Sequence, residues 1–265
     1  MTGFQVAILA IVQGLTEFLP ISSSGHLVLV PSLLGWGDQG LAFDVAVHFG
    51  SLAAVLIYFR GDIASLACGG LQVLKGRTES FEARLALAIG LGTIPAALCG
   101  LLLAGWIAAN LRDPTVIVIT LSGYAVLMAL ADRFGRRDRI LTGIRIRDAL
   151  LIGIAQALAL VPGTSRSGIT ITAAMALGFE RIDAARFSFL LAVPVILLAT
   201  AYELVVLLGQ DAPVPWSQLV VGALFAAVVA YLSIEFFMRF VSRVGLMPFA
   251  IYRVALAAVI LYVLA

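Results

Sequence analysis

The chain has 265 residues, of which 62% are hydrophobic and 12% charged, and its formal net charge is +2. A soluble domain runs at roughly 45–50% apolar and 25% charged, so the composition excludes an ordinary soluble globule and marks an integral membrane protein. The small net charge gives no reason to expect nucleic acid as a partner, and the two cysteines, Cys68 and Cys99, read as free packed thiols rather than a disulfide framework.

The first apolar run, Phe4–Val12, has no Lys or Arg before it and no small-residue cleavage site after it, so it does not read as a signal peptide. A helix needs about 20 apolar residues to cross the hydrocarbon core. The opening region, Phe4–Leu34, is broken near its middle by "PISSSGH" into two arms too short for a comfortable crossing, and it suits a re-entrant helix pair. Three spans follow, Leu41–Phe59, Leu85–Ala109 and Pro114–Ala131; Ile63–Leu74 either extends the first or lies along the inner surface. A second broken region, Ala149–Leu177, is interrupted by "PGTSRSGIT", and three more spans close the chain: Phe187–Leu208, Trp216–Met238 and Leu246–Ala265. The expected fold is an all-α integral membrane protein with six transmembrane helices and two re-entrant pairs. It forms one membrane domain, 1–265, from a repeat over about 1–132 and a second over about 146–265.

If each broken region enters and leaves by one face, each half crosses three times. Three is odd, so the second half lies upside down relative to the first. With both termini outside, 15 of the 17 basic residues fall on the cytoplasmic side, Arg112 in an outer loop and Arg166 in the second broken region. The positive-inside rule supports that orientation in a cytoplasmic membrane. At an offset of 143 residues Gln13 aligns with Gln156, Leu15 with Leu158, Ser22 with Ser165, Ser24 with Ser167 and Gly25 with Gly168. Such an inverted repeat brings two broken helices together near the midplane, so the two polar loops read as halves of one site.

Gln13 and Glu17 are four apart and share one face of the first arm. Ser22, Ser23 and Ser24 offer an N-cap for the second arm, whose open N–H groups form an anion site with His26 in its first turn. In the second loop Gly163 and Gly168 permit tight turns and close approach of a ligand. Thr164, Ser165, Ser167 and Thr170 supply hydroxyls, and Arg166 offers a planar fork suited to phosphate. Together these suggest a phosphorylated ligand, with Glu17 and His26 pointing to phosphate-ester or anhydride chemistry.

Each residue also has a plain structural reading. Glu17 could be an interfacial helix-end carboxylate and His26 a simple cap, but ionisable groups at membrane depth are costly and functional by default. Serines and glycines also mediate helix packing in membranes. Asp44 and His48 read as a packed polar pair or as cavity lining, Glu203 and Glu235 as groups at helix ends or contacts, and Arg253 as either snorkelling or touching the site.

"QGLTEFLPISSSGH" and "PGTSRSGIT" closely resemble the two signature regions of the undecaprenyl pyrophosphate phosphatase family, also called bacitracin-resistance proteins, and "GFERIDAARFSFLLAVP" (178–194) resembles the segment after the second. The resemblance covers essentially the whole chain. It implies the six-span, double re-entrant fold, often as a homodimer. It also implies removal of the terminal phosphate of undecaprenyl diphosphate, a prenyl diphosphate lipid, assisted by Mg2+ or Ca2+. The family's acidic motif falls on Gln13 and Glu17, its serines on Ser22–Ser24, its histidine on His26 and its arginine on Arg166. Many members carry glutamate where this chain has Gln13, so the metal would rest mainly on Glu17, diphosphate oxygens and water. The type 2 phosphatidic acid phosphatases share "SGH" and "SR", but no histidine follows His48 here to complete their triad. The nucleophile is open between His26, Ser23 with His26 as its base, and water. The competing class is a secondary transporter or flippase of an anionic or prenyl-phosphate substrate, whose usual architecture is also an inverted repeat of broken helices.

Overall fold

A computed structural model describes residues 1–111, 113–209 and 215–264. The outer-loop Arg112 and Ala265, the end of the last expected span, lie outside the described residues. Eleven α-helices account for most of what is described: α1 Gly3–Thr16, α2 Ser23–Leu34, α3 Leu41–Tyr58, α4 Arg60–Leu74, α5 Phe81–Asn110, α6 Pro114–Phe134, α7 Ile146–Ala157, α8 Arg166–Ala176, α9 Arg181–Leu208, α10 Trp216–Val244 and α11 Met247–Leu264. Five of them, α3, α5, α6, α9 and α10, are long and apolar enough to cross a membrane, while α1, α2 and most of α11 (Met247–Val263) count as shorter apolar helices.

The breaks fall where Pro, Ser and Gly interrupt the apolar pattern, and the helix ends shift where polar residues continue a helix that hydropathy alone cuts short. α5 begins at Phe81 rather than Leu85 because the Ser80 hydroxyl caps it, accepting from the Ala83 N–H at 3.1 Å. α9 begins at Arg181 rather than Phe187 because the polar turn "RIDAAR" is helical, its Asp183 carboxylate accepting from the Leu141 N–H at 2.9 Å. α10 runs on to Val244, past the expected Met238. The ambiguous Ile63–Leu74 belongs to a helix of its own, α4, split from α3 at Phe59, which leaves helical geometry at φ −96°, ψ 28°; Ile63 and Leu66 pack against the core and only Gly69 is buried.

The packing exchanges partners between the two halves of the chain. α1 packs on α10, α7 packs on α5, and α6 packs on α11. Each broken region's first arm therefore lies against the middle long helix of the other half. Small residues make these contacts close, as expected where neighbouring lipid is as apolar as any side chain. The space a side chain would need at Gly50 on α3 is filled by the Ala223 carbonyl of α10, and that at Gly153 on α7 by the backbone of Gly92 on α5. Between the halves sits an aromatic core: Phe18, from the first break, meets Phe189 of α9 edge-on at 5.3 Å, and Phe189 meets Phe237 of α10 at 5.6 Å.

Charged pairs fasten the connections at one end. Arg139 bonds Asp148 and lies 4.4 Å over the Phe179 ring. Asp132 accepts from Arg181 at 2.7 Å and from the Leu246 N–H at 3.0 Å. Replacing Gly50 by Ala forces α3 off α10 and is expected to cost about 1–3 kcal/mol, the scale of overpacking a close contact. It should appear as a lower thermal midpoint in detergent, while Gly123→Ala, where nothing lies within 4 Å of the added carbon, leaves the midpoint unchanged.

Candidate active site

The site grows out of the end of α1. Gln13 and Glu17 are stacked one turn apart, and the Gln13 Nε2 amide donates to Glu17 Oε2 at 3.0 Å. Glu17 is the C-cap of α1, and Pro20, which has no N–H, lies in the turn that follows. The chain re-enters a helix at Ser22, whose backbone sits at φ 75°, ψ 94°, a left-handed conformation that a non-glycine residue holds only under constraint. Ser22 makes no side-chain cap bond, so its hydroxyl leaves the first N–H groups of α2 uncapped. The Ser23 hydroxyl donates to Glu17 Oε2 at 2.9 Å, and the Ser22 and Ser24 hydroxyls lie 3.2 Å apart. The structure thus joins Ser23 to the carboxylate, not to the His26 ring. Gly25 has ordinary space around it, with Ser22 Oγ 3.5 Å from where a side chain would begin.

The second loop repeats this backbone. Ser165, aligned with Ser22, sits at φ 68°, ψ 112°, and its hydroxyl lies 3.3 Å from that of Ser167. Unlike Ser22 it caps its helix, accepting from the Gly168 N–H at 3.2 Å. Gly163 needs its glycine: φ is +87°, and a side chain would strike Thr120 and Ile117. Arg166, the first residue of α8, crosses to the other loop and donates from Nη2 to Glu17 Oε1 at 3.0 Å, although the two lie 149 residues apart. The guanidinium also reaches the Ser188 carbonyl at 3.5 Å and lies 5.6 Å from the Phe18 ring centre.

Not every expected ligand group faces this centre. The Ser167 hydroxyl donates to the Leu19 carbonyl at 3.1 Å and so stitches the second loop to the first. The Thr170 hydroxyl is held by the Arg166 carbonyl at 2.8 Å and the Ser188 hydroxyl at 2.6 Å. The Thr164 hydroxyl is fully buried and without a partner, as are Gln13 Oε1 and both amide atoms of Gln156, the residue aligned with Gln13. Gln13, Glu17, Ser23 and Arg166 form one hydrogen-bonded group; His26 stands beside it on α2.

Three residues gain partners that sequence spacing did not reveal. Arg253 on α11 is 1% exposed and donates to backbone carbonyls of Gly163 at 3.0 Å, Leu121 at 3.2 Å, Thr120 at 3.4 Å and Pro20 at 3.5 Å. It touches both broken loops. Its neighbour Tyr252 places its hydroxyl 2.7 Å from His26 Nε2. His48 on α3 bonds the carbonyl of Asp44, not its carboxylate, through Nδ1 at 2.7 Å, and brings Nε2 to 3.8 Å from Glu17 Oε2. The only signal for Arg253 was a cation two turns inside an apolar span.

A cavity of about 460 Å3 reaches Ser23, Ser24 and His48 from the side of the α2–α3 connection, with Leu27, Trp36 and Pro162 on its walls and Asp38 and Asp44 among its lining residues. The description Bacitracin resistance protein BacA matches residues 6–259 of this chain. The chain belongs to the BacA family. Over nearly their full lengths, it is 52% identical to an undecaprenyl-diphosphatase of Thioalkalivibrio sulfidiphilus (99% of each chain) and 51% identical to one of Hahella chejuensis (97% of each). It is 49% identical to one of Alcanivorax borkumensis over the whole of both chains.

For a BacA-family chain the donor set near Glu17 is a test of metal chemistry. Among the described residues no three His, Cys, Asp or Glu side chains gather into a ligand cluster. What gathers instead is one carboxylate, the unpartnered Gln13 Oε1 and hydroxyls. These are hard oxygen donors that fit Mg2+ or Ca2+, provided most ligands come from the substrate and water. Glu17 already accepts three hydrogen bonds, which leaves one of about four lone-pair positions open.

Arg253→Leu strands the carbonyls of both loops. An unsatisfied buried polar group costs about 1–3 kcal/mol, so a fall in thermal midpoint in detergent is expected to exceed that of Gly50→Ala. Arg253→Lys, which keeps the charge but not the fork, should fall between wild type and Arg253→Leu.

Proposed function

We propose that this chain hydrolyses undecaprenyl diphosphate to undecaprenyl phosphate and inorganic phosphate, returning the lipid carrier to cell-wall synthesis and conferring bacitracin resistance. The observation that carries the reading is the Glu17–Arg166 pair, which draws two polar loops from opposite halves of an apolar chain into one centre. The names of the relatives support the substrate. The uncapped start of α2 and the Arg166 fork suit the diphosphate head, and the apolar helix faces around them suit a prenyl tail.

In this mechanism Arg166 and the α2 amides stabilise the charge that grows on the transferred phosphoryl oxygens. Glu17, hydrogen-bonded to the Ser23 hydroxyl, takes the proton from Ser23 or from a water in its place. His26 holds or returns a proton at the leaving phosphate. A bound Mg2+ or Ca2+ would rest on Glu17 and Gln13 Oε1 and would supply charge neutralisation to the diphosphate.

The finer topology belongs to the same proposal. We read α3, α5, α6, α9, α10 and α11 as six crossings. α1–α2 and α7–α8 are the re-entrant pairs, and the halves are related by an inverted repeat. The matched left-handed serines and the exchanged packing of α1 on α10 and α7 on α5 support that repeat. α11, at 18 residues, is about 27 Å long, close to the hydrocarbon thickness. With both termini outside, the cavity at the α2–α3 connection opens outward, in the cytoplasmic membrane of a bacterium.

Purified protein in detergent should release phosphate from undecaprenyl diphosphate with no sealed membrane present. Glu17→Gln and Arg166→Lys should each lower kcat by at least about 10²-fold. A chelator should stop release and Mg2+ restore it. A protein that binds the lipid but frees no phosphate would instead be a transporter. Trp36→Cys, placed in a background of Cys68→Ser and Cys99→Ser, is expected to react with an impermeant thiol reagent from outside intact cells. Reaction only in inside-out vesicles reverses the orientation.

A further inference from the structure

His26 is held at both ring nitrogens. Its Nδ1 lies 2.7 Å from the Ser22 carbonyl oxygen. A carbonyl can only accept, so Nδ1 carries the hydrogen. The left-handed backbone of Ser22 fixes where that carbonyl points, and the His26 amide N–H reaches the same oxygen at 3.4 Å. In the neutral ring Nε2 is then the lone pair. Its partner is the Tyr252 hydroxyl at 2.7 Å, which donates. The two ring planes are within 6° of parallel, with centres 5.7 Å apart.

This contact joins residues 226 positions apart, on α2 and α11. It is not a flexible surface bond, because the next residue, Arg253, is bolted to carbonyls of both loops and fixes the backbone from which Tyr252 projects. The pair is also asymmetric. His26 is buried at 8% exposure, whereas Tyr252 is 44% exposed. No hydrogen bond ties His26 to Ser23, Glu17 or Arg166, so among the described residues the phenol is the side-chain partner that holds the orientation of the ring.

We propose that Tyr252 is a positioning residue of this site: its hydroxyl, bonded to Nε2, holds in one orientation the imidazole that carries a proton to the leaving phosphate, while the Ser22 carbonyl sets the resting Nδ1–H form. The proposal rests on the phosphatase reading above and deepens it. It separates two jobs among the polar groups. Glu17 governs the Ser23 hydroxyl, and Tyr252 governs His26.

The chain has only two histidines, so the full-length protein labelled with 15N-histidine in detergent shows two ring spin systems, and His48→Gln identifies the one from His26. In the wild type the His26 ring should carry its proton on Nδ1. In Tyr252→Phe, which keeps the aromatic ring and loses only the hydroxyl, the proton should stay on Nδ1, held by the Ser22 carbonyl, and the Nε2 resonance should shift as its hydrogen bond is lost. For undecaprenyl diphosphate kcat should fall about tenfold, the scale of one neutral hydrogen bond, with KM within about twofold and the thermal midpoint unchanged. A wild-type ring with its proton on Nε2 overturns the proposal whatever happens to the variant, so a Tyr252→Phe protein that fails to fold does not shield it. An unchanged kcat or an unmoved Nε2 resonance in Tyr252→Phe, or a kcat loss that merely tracks a lower midpoint, also overturns it. Wild-type protein that frees no phosphate overturns the phosphatase reading itself, a result the ring measurement does not depend on.

Discussion

A helix that stops inside an apolar slab leaves carbonyls and N–H groups with no water to bond them. This chain breaks its apolar helices at 17–22 and at 161–165, and the arrangement depends on how the groups at those breaks are satisfied. Arg253 answers part of it: one buried guanidinium, with five donors in a fixed fork, collects carbonyls from Pro20, Gly163, Thr120 and Leu121. The Ser167 hydroxyl adds a bond to Leu19, and the Thr120 hydroxyl a 2.7 Å bond to Pro162. Each of these joins one loop either to the other loop or to α6. Satisfying the breaks and bringing the loops together are therefore the same act.

The polar groups left over are those on which the proposed reaction rests. The Glu17 carboxylate is buried with Arg166 on one oxygen and Gln13 and Ser23 on the other. A buried carboxylate without such partners would be costly, and so would a buried guanidinium. A buried charge needs a partner, and each loop supplies the counter-group for the other. In the proposed reaction an arriving diphosphate would compete with Glu17 for Arg166. The Gln13 and Ser23 bonds, with His48 3.8 Å away, would then keep the carboxylate in place from its other oxygen. The two serines at positive φ, Ser22 and Ser165, are strained in the same way at equivalent points. That is where a backbone turned sharply to present amides to a ligand is expected to store strain.

Much of this was legible in the linear chain. Two runs broken by Pro, Ser and Gly, the four-residue spacing of Gln13 and Glu17, and a lone Arg166 among hydroxyls are local patterns, and helices read local patterns directly. The helix ends are less legible, as α9 shows: hydropathy registers where a helix turns polar, not where it begins, so it passes over "RIDAAR". The serines were read as ligand groups by type, but two of the hydroxyls proposed with them, on Ser167 and Thr170, turned out to be committed to protein partners.

By itself, then, the sequence determined that the chain is a helical membrane protein with two polar interruptions, and which family signatures those interruptions carry. Only the tertiary structure decided who bonds whom across them: Ser23 with Glu17 rather than His26, His26 with Tyr252, and Arg253 with both loops. The reason is distance along the chain. An i, i+4 pair such as Gln13 and Glu17 is fixed by the pitch of one helix. Contacts across 149 or 226 residues are set by how whole helices pack, and no local pattern encodes that.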